Sequence, residues 1–480
     1  MKDTVASGIE LTFLGGAESV TGSNFLVRGA HGSVLVDCGI EQGKDFCHEC
    51  MYAPFPYDVP SISALIITHA HLDHVGRAPK LMREGFKGRV YLTAPTLELM
   101  ELILRDSARI MAQDAEQKGL PPLYESHDVD ALLARCTAVS LHEEFDAAPG
   151  LSCVLRHTGH ILGSASVRIR DEASGASLAI TSDLGNSPSP YLPEPEPIPD
   201  ADVVLMESVY GDRLHTHTDE RVGELEKALN DAIKRGGAIL IPAFSLERSQ
   251  LMLYEISNLM AAGKIPKIPV FLDSPLAIKA TDVYAKWAKD YFRKSVQAEL
   301  AQEGDIFRFA QLAETMSREE SEDIVKAPSP KIIMAGAGMS HGGRIGKWEQ
   351  KYLPDPTTTL FMVGYQAPGS PGRLLQDGAR EVQLGRERVK VRAKIQSFSG
   401  WSAHADRDGL VEFARQCIEA AGKSRIKAFF TALGEPSAQR FLAQRIHDYL
   451  GVRAIAPTEG STWRITTQGV QETRAYRADA

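Results

Sequence analysis

The stretch Ile66–Gly76, IITHAHLDHVG, places three histidines and an aspartate (His69, His71, Asp73 and His74) directly after an apolar run. Alternate side chains of an extended segment share a face, so His69 and His71 can present imidazoles to one point. A bend after them turns Asp73 and His74 toward a second point a few ångströms away. Neutral imidazole and carboxylate are ligands that Zn²⁺ accepts, and the spacing is compact enough to grip an ion. The alternative is a solvated or helix-capping cluster. With only 14 histidines in 480 residues, so dense a grouping is improbable by chance, and the metal reading is preferred.

Short strand-like runs surround this segment: LTFLG (11–15), NFLVRG (24–29), SVLVDCG (33–39) and ALIITHA (64–70), separated by Gly- and Ser-bearing turns. Residues 96–118 carry apolar side chains at helical spacing. After Pro149-Gly150 the strands resume in SCVLRHTG, SVRIRD and SLAITSDLGN. One short segment cannot enclose two ions, so distant partners are needed. HTGHILGSAS (157–166) offers His157 and His160, and ITSDLGN (180–186) offers Asp183. Taken alone, each is better read as satisfying a turn.

The texture changes near residue 208. A helical pattern over 219–236 is followed by GAILIPAF (237–244), IPVFLDSP (268–275), KIIMAGAGMSHGGR (331–344) and TTLFMVGYQAPGSPGR (358–373). Strands that alternate with helices in this way predict a parallel sheet. After about 394 two further strand–loop–helix patterns follow. The plan is two α/β units, the middle one inserted into the first.

Bulk properties agree. A chain of 480 residues, 43% hydrophobic and 24% charged, is an ordinary globular composition with two or three domains expected. A net charge of −9 argues against non-specific coating of nucleic acid. It leaves open an enzyme with a local basic groove or one whose bound ion supplies positive charge. The N-terminus has no secretory pattern, and no apolar run approaches the ~20 residues of a spanning helix. Six cysteines are too few for a disulfide framework, and the Cys47/Cys50 pair is expected to be neither a zinc site nor a redox pair. A cytoplasmic location without membrane partners is expected.

Asp37 in VDCG, the H-x-H-x-D-H segment, GHILGSA and SDLG, in that order, resemble the metallo-β-lactamase superfamily. The resemblance implies an α/β fold, an αββα sandwich with metals at one edge. It implies a first zinc on His69, His71 and His160 and a second on Asp73 and His74, with Asp183 bridging and Asp37 orienting ligands. Paired zincs ~3.5–4 Å apart would hold a bridging hydroxide as nucleophile. Further on, LMESVYGDR (205–213), IPAFSLERSQ (241–250), FLDSPLAIKATDVY (271–284), GMSHGGR (338–344), GYQAPGSPGR (364–373) and FSGWSAHAD (398–406) resemble the β-CASP ribonucleases, in that family's order. These are similar to bacterial RNase J and the eukaryotic pre-mRNA 3′-end endonuclease. The resemblance implies a metallo-β-lactamase domain over 1–208 and 395–480, with a β-CASP domain inserted over 209–394.

It also implies roles. Asp37, Asp73, Glu207 and His404 form the catalytic set, with Glu207 holding an imidazolium at His404 that protonates the leaving 3′-oxygen. Gly-rich turns after strands, with their arginines, suit phosphate. The substrate-binding candidates are Arg248, Ser274, Ser340, Gly342, Gly343, Arg344, Arg373 and Ser402, and Tyr365 and Trp401 are candidates for base stacking or core. One departure stands out: TALGEPSAQ (431–439) carries Leu433 where the family's last motif has its metal-binding histidine, and His447 lies a helix length away. The loop MAGAGMS also lacks the Ser usual before Gly-Met. The expectation is therefore a zinc-dependent phosphodiesterase for single-stranded RNA, with two zincs, the second weakly held, and Mn²⁺ as an alternative ion. The rivals are a DNA nuclease, because DNA-processing relatives carry an aliphatic residue at the Leu433 position, and a non-catalytic RNA-binding scaffold. A homodimer is compatible with all three.

Overall fold

The alternation in IELTF places Ile9, Leu11 and Phe13 on a buried face and Glu10 and Thr12 toward solvent, and the segment forms β1 (Ile9–Phe13). The computed structural model describes residues 8–42, 48–118, 121–215, 218–364, 366, 369–398, 400–422 and 424–474. It divides into two units, Met1–Leu214 with His404–Ala480, and His215–Ala403. The first unit continues with β2 (Phe25–Arg28), β3 (Ser33–Val36), β4 (Ala64–Ile66), β5 (Arg89–Leu92), β6 (Cys136–Ala138), β7 (Glu144–Ala148), β8 (Leu151–His157), β9 (Ala165–Asp171), β10 (Ser177–Ile180) and β11 (Val203–Glu207). The second contributes β12 (Ala238–Pro242), β13 (Val270–Leu272), β14 (Leu312–Glu314), β15 (Lys331–Ala335), β16 (Thr359–Met362), β17 (Glu381–Leu384), β18 (Glu387–Lys390) and β19 (Lys394–Ser397). The chain then returns with β20 (Ala428–Ala432), β21 (Arg453–Ile455), β22 (Thr462–Thr466) and β23 (Gly469–Arg474).

In the first unit an eight-stranded sheet runs β23-β22-β1-β2-β3-β4-β5-β6, and a seven-stranded sheet runs β21-β20-β11-β10-β9-β8-β7. Their inner faces share one core, with Phe13, Val27, Val36 and Ile66 from the first sheet against Leu155, Val167, Leu178, Leu205 and Phe430 from the second. Ala179, Val204, Met206 and Phe429 point to the other side of the second sheet. There they pack on Leu410, Phe413 and Cys417 of the helix Arg407–Ala421 and on Leu442 and Ile446 of the helix Pro436–Leu450. This is the layered sandwich that the resemblance implied.

The second unit holds a six-stranded sheet, β14-β13-β15-β12-β16-β19, whose neighbours all pair in parallel. Near-continuous apolar strands such as AILIP and KIIMA are what a sheet covered on both faces requires.

Two sequence expectations are trimmed by the fold. The runs 33–39 and 64–70 end as strands at Val36 and Ile66. The Asp37 carboxylate takes the Thr68 amide at 2.9 Å and draws the chain out of the sheet, releasing the histidines beyond it. Cys47 lies outside the described residues, and Cys50 is disulfide-bonded, against the expectation of an unengaged pair. No described helix is long and apolar enough to cross a membrane.

Candidate metal centre

Loops leaving the C-terminal ends of β3, β4, β8, β10 and β11 converge in the first unit. Asp37 stands at their centre. One of its carboxylate oxygens accepts from the Thr68 amide (2.9 Å) and hydroxyl (3.0 Å), and the other from Ser23 Oγ (3.0 Å) and His74 Nδ1 (2.7 Å). With Nδ1 so engaged, His74 turns Nε2 into the site. The loop can approach this closely because residue 39 is glycine: a Cβ there would lie 1.5 Å from the Asp73 carbonyl oxygen. Gly185 has the same function in SDLG, since its Cβ would lie 2.1 Å from the Gly159 carbonyl oxygen beside His160.

His69, His71, His160 and Asp183 bring ligand atoms within 4.8 Å of one another. His71 Nδ1 lies 3.1 Å from His69 Nε2 and 3.1 Å from His160 Nε2. Asp183 Oδ2 lies 3.5 Å from His69 Nε2 and 3.3 Å from His160 Nε2. A tetrahedron with zinc bonds of ~2.0–2.1 Å has edges of about 3.3–3.4 Å, so these four atoms have the separations of a metal's ligands. His157 is buried but not in this group. On the far side of Asp183, His74 Nε2 is buried without a hydrogen-bond partner, 3.5 Å from Asp183 Oδ1 and 3.9 Å from Asp73 Oδ2. An imidazole nitrogen so placed between carboxylates is the second observation that fits a cation. The donor set present therefore suits divalent metal.

The electrostatics agree. Burial, reinforced by the neighbouring His74, His71 and His160, holds the His69 imidazole well below its ordinary value, so it is a neutral ligand. Burial pushes the Asp183 carboxyl up to about 7, against the opposing pull of His74 and His404. Burial would depress His74, but Asp183 and Asp37 outweigh it and carry it to about 10. Protonated imidazoles thus supply the positive charge that these carboxylates require, a role a bound cation would take over.

Glu207 ends β11 fully buried. Its Oε1 accepts from the Leu184 amide (2.6 Å) and faces His404 Nδ1 at 3.3 Å. The His404 side chain is 23% exposed and lies 3.8 Å from Asp183 Oδ2. Burial lowers its proton affinity, yet Glu207 and Asp183 together raise it to about 9. Asp183, Glu207 and His404 also fall within 4.8 Å of one another, so the acid–imidazole pair directly adjoins the ligand quartet.

Leu433 is fully buried in the inter-sheet core, with φ 49° and its amide donating to the Gly16 carbonyl at 2.6 Å. It offers no ligand to the His74 side of the site. Sequence reading missed Thr68 and Ser182. Thr68 Oγ1 bonds Ser182 Oγ at 2.7 Å and both lie near His69 Nδ1. The only signal was their position within THAH and TSDLG.

The remaining candidates lie in the second unit, after the C-terminal ends of parallel strands. Arg248 opens the helix that follows β12, and Ser274 caps the helix after β13. Ser340, Gly342, Gly343 and Arg344 follow β15, with φ of 56°, 82° and 66° for the first three. Ser340 is buried and donates to Glu349 Oε1 at 2.5 Å. Arg344 is tied inward, to the buried Asp273 (2.6 Å) and the Thr315 and Met316 carbonyls. Asp273 also accepts from Trp348, Thr315 and Ser321. Arg373 pairs with Asp377 at 3.0 Å, and Ser402 is half-buried. Trp401 is buried with Arg221 over its ring, which makes it core, and Tyr365 lies outside the described residues.

Residues 20–243 match the Metallo-beta-lactamase superfamily, 249–375 the Beta-Casp domain, and 388–457 the Zn-dependent metallo-hydrolase RNA specificity domain. The chain is 37% identical over 399 residues to Ribonuclease TTHA0252 of Thermus thermophilus, covering 83% of this chain and 89% of that protein. It is 30% identical to an RNase J-like protein of Methanocaldococcus jannaschii (85% of this chain, 89% of that one). It is also 30% identical to the Transcription termination factor FttA of Methanosarcina mazei (95% and 72%). A crystal structure of a protein of unknown function from Enterococcus faecalis superimposes with a TM-score of 0.55 at 12% identity, over 95% of this chain and 100% of that one.

Proposed function

The chain belongs to the β-CASP family of the metallo-β-lactamase superfamily and is a metal-dependent hydrolase, and from that premise we propose that it cleaves phosphodiester bonds of single-stranded RNA. The observation that carries the reading is the ligand quartet His69, His71, His160 and Asp183 set against the Glu207–His404 pair. His69, His71, His160 and Asp183 would hold one ion, and Asp73 and His74, with Asp183, would hold a second more weakly, since Leu433 contributes no ligand. Zinc, or Mn²⁺ in its place, would supply Lewis acidity there, toward water and toward a phosphoryl oxygen.

The chain's own groups do the rest. Asp37 fixes the His74 ring. Glu207 engages Nδ1 of His404, leaving Nε2 to deliver a proton to the departing 3′-oxygen. With Asp183 engaged by an ion, Glu207 would be the main group holding the His404 imidazolium. The strand-end loops of the second unit, with Arg248, Ser274, Gly342, Gly343, Arg373 and Ser402, meet phosphates, and Ser340 shapes its loop from beneath through Glu349. Arg344 serves them through its hold on Asp273.

Leu433 is the specific observation that favours a deoxy substrate as the second reading. Matched RNA and DNA strands cut by wild type, His404→Ala and His160→Ala test both. RNA cleavage lost by about 10²–10⁴-fold in His404→Ala is expected. A strong preference for DNA would replace the substrate, and binding without turnover in added zinc would make the chain a scaffold.

A further inference from the structure

Resting on that reading of the substrate, we propose that the exposed flank of the helix Pro436–Leu450 is a base-stacking platform for single-stranded RNA, continuous with the metal centre. The inner face of this helix packs Leu442 and Ile446 on the second sheet's layer. Phe441, Arg445 and Tyr449 follow at four-residue spacing and so form one ridge along the flank of that buried stripe. Phe441 is 40% exposed and Tyr449 66%. The Arg445 guanidinium lies between them, 5.3 Å from one ring centre and 5.0 Å from the other, and donates to the Tyr449 hydroxyl at 2.7 Å. Among the described residues no carboxylate lies within ion-pair distance of Arg445. The core has no need of two aromatic rings in water. Ring, guanidinium, ring is an arrangement that stacks bases and meets phosphates.

The ridge leads back to the site within the same unit. The Tyr210 ring lies 6.2 Å from that of His404, and Arg213 sits 5.8 Å over Tyr210. The Arg407 amide donates to the Arg213 carbonyl at 3.0 Å, and Gly211, next to Tyr210, abuts the helix so closely that a Cβ there would lie 2.7 Å from the Ala438 carbonyl oxygen. Arg213 and Arg407 are paired with Asp212 and Asp408, so they add planar stacking surface more than net charge. On the ridge the charge is the Arg445 guanidinium, and Asp448 on the neighbouring row is held by Gln444 at 2.7 Å. A cation set between two rings suits a polyanion whose bases stack. Two rings are too small an apolar area for stable self-association, and only an unpaired strand exposes the base faces that stack on them.

The test is steady-state cleavage of single-stranded RNA of about 16 nucleotides and of a tetranucleotide, with Phe441→Ala/Tyr449→Ala and with Tyr449→Trp. The double variant is expected to raise KM for the longer strand about tenfold with kcat near wild type, shrinking its advantage over the tetranucleotide. Tyr449→Trp should retain that advantage. An unchanged KM on the longer strand overturns the platform. So does a sedimentation shift to a smaller species, which would make the helix a contact between copies. If wild type neither binds nor cuts RNA, the substrate reading itself has failed, and the platform falls with it.

Discussion

At Asp37 one buried carboxylate accepts from Ser23, Thr68 and His74, so a residue that touches no ion decides where one ligand points. Asp37→Asn keeps the shape but replaces one acceptor oxygen by a donor, which must then face either the Thr68 amide N–H or His74 Nδ1. Zinc affinity is expected to fall about 10–100-fold, measured by competition with a chromophoric chelator, and an unaltered affinity would remove Asp37 from the site's support. Glu349 is a different case. Its Oε2 is buried without a partner and Ser340 serves only Oε1, so burial pushes its carboxyl up to about 7. A folded-state value above the unfolded one means the folded chain keeps a proton that the unfolded chain has released. Stability from this group is therefore whole below about pH 4.5, falls as pH rises toward 7, and stays lost above it. Glu349→Gln cannot ionise. Its stability relative to wild type should rise by on the order of 3 kcal/mol between pH 4 and pH 8, whatever constant offset its amide adds. Parallel curves in denaturant titrations across that range would refute the assignment.

At the scale of elements, the site is made by where strands stop. β3 and β4 end early because Asp37 and Thr68 bond each other across the sheet edge, and β20 ends at Ala432 with Leu433 at positive φ. The histidine cluster was legible because its residue types are chemically unmistakable and adjacent in sequence. The strand ends were not, because an apolar run does not say which amide will leave the ladder for a side chain. Nor was the inward tie of Arg344, whose partner Asp273 is 71 residues away and resembles any aspartate at a strand end. Leu433→His tests the element that closes the second half of the site. The left-handed conformation tolerates histidine, but the core loses an aliphatic side chain, at about 2–4 kcal/mol in the metal-free protein. Zinc content should rise by about one ion per chain and restore part of that loss. Elemental analysis and melting curves with and without zinc decide it. Destabilisation with no gain in metal would mean that the loop after β20 does not face the ions.

At the scale of the whole molecule, the sequence showed an insertion but not how the first unit is stitched together. β20 enters the second sheet beside β11, and β22 pairs antiparallel with β1, register Leu11 to Trp463. These pairings join residues 225 and 452 positions apart, and no local pattern in Ala428–Ala432 or Thr462–Thr466 announces them. The consequence is thermodynamic. The first unit is built from both ends of the chain around a site crowded with buried carboxylates, whereas the second unit, His215–Ala403, holds none of the ligand quartet. Metal that binds only the folded first unit stabilises it by about 4 kcal/mol at a thousandfold excess over Kd. Chelation should therefore lower that unit's calorimetric transition by roughly 10 °C and leave a second component in place. Adding zinc back should return the lower transition to its starting point. A trace in which both components shift together under chelation would show that the ions stabilise the chain as one cooperative block, and the division of energetics between the two units would have to be abandoned.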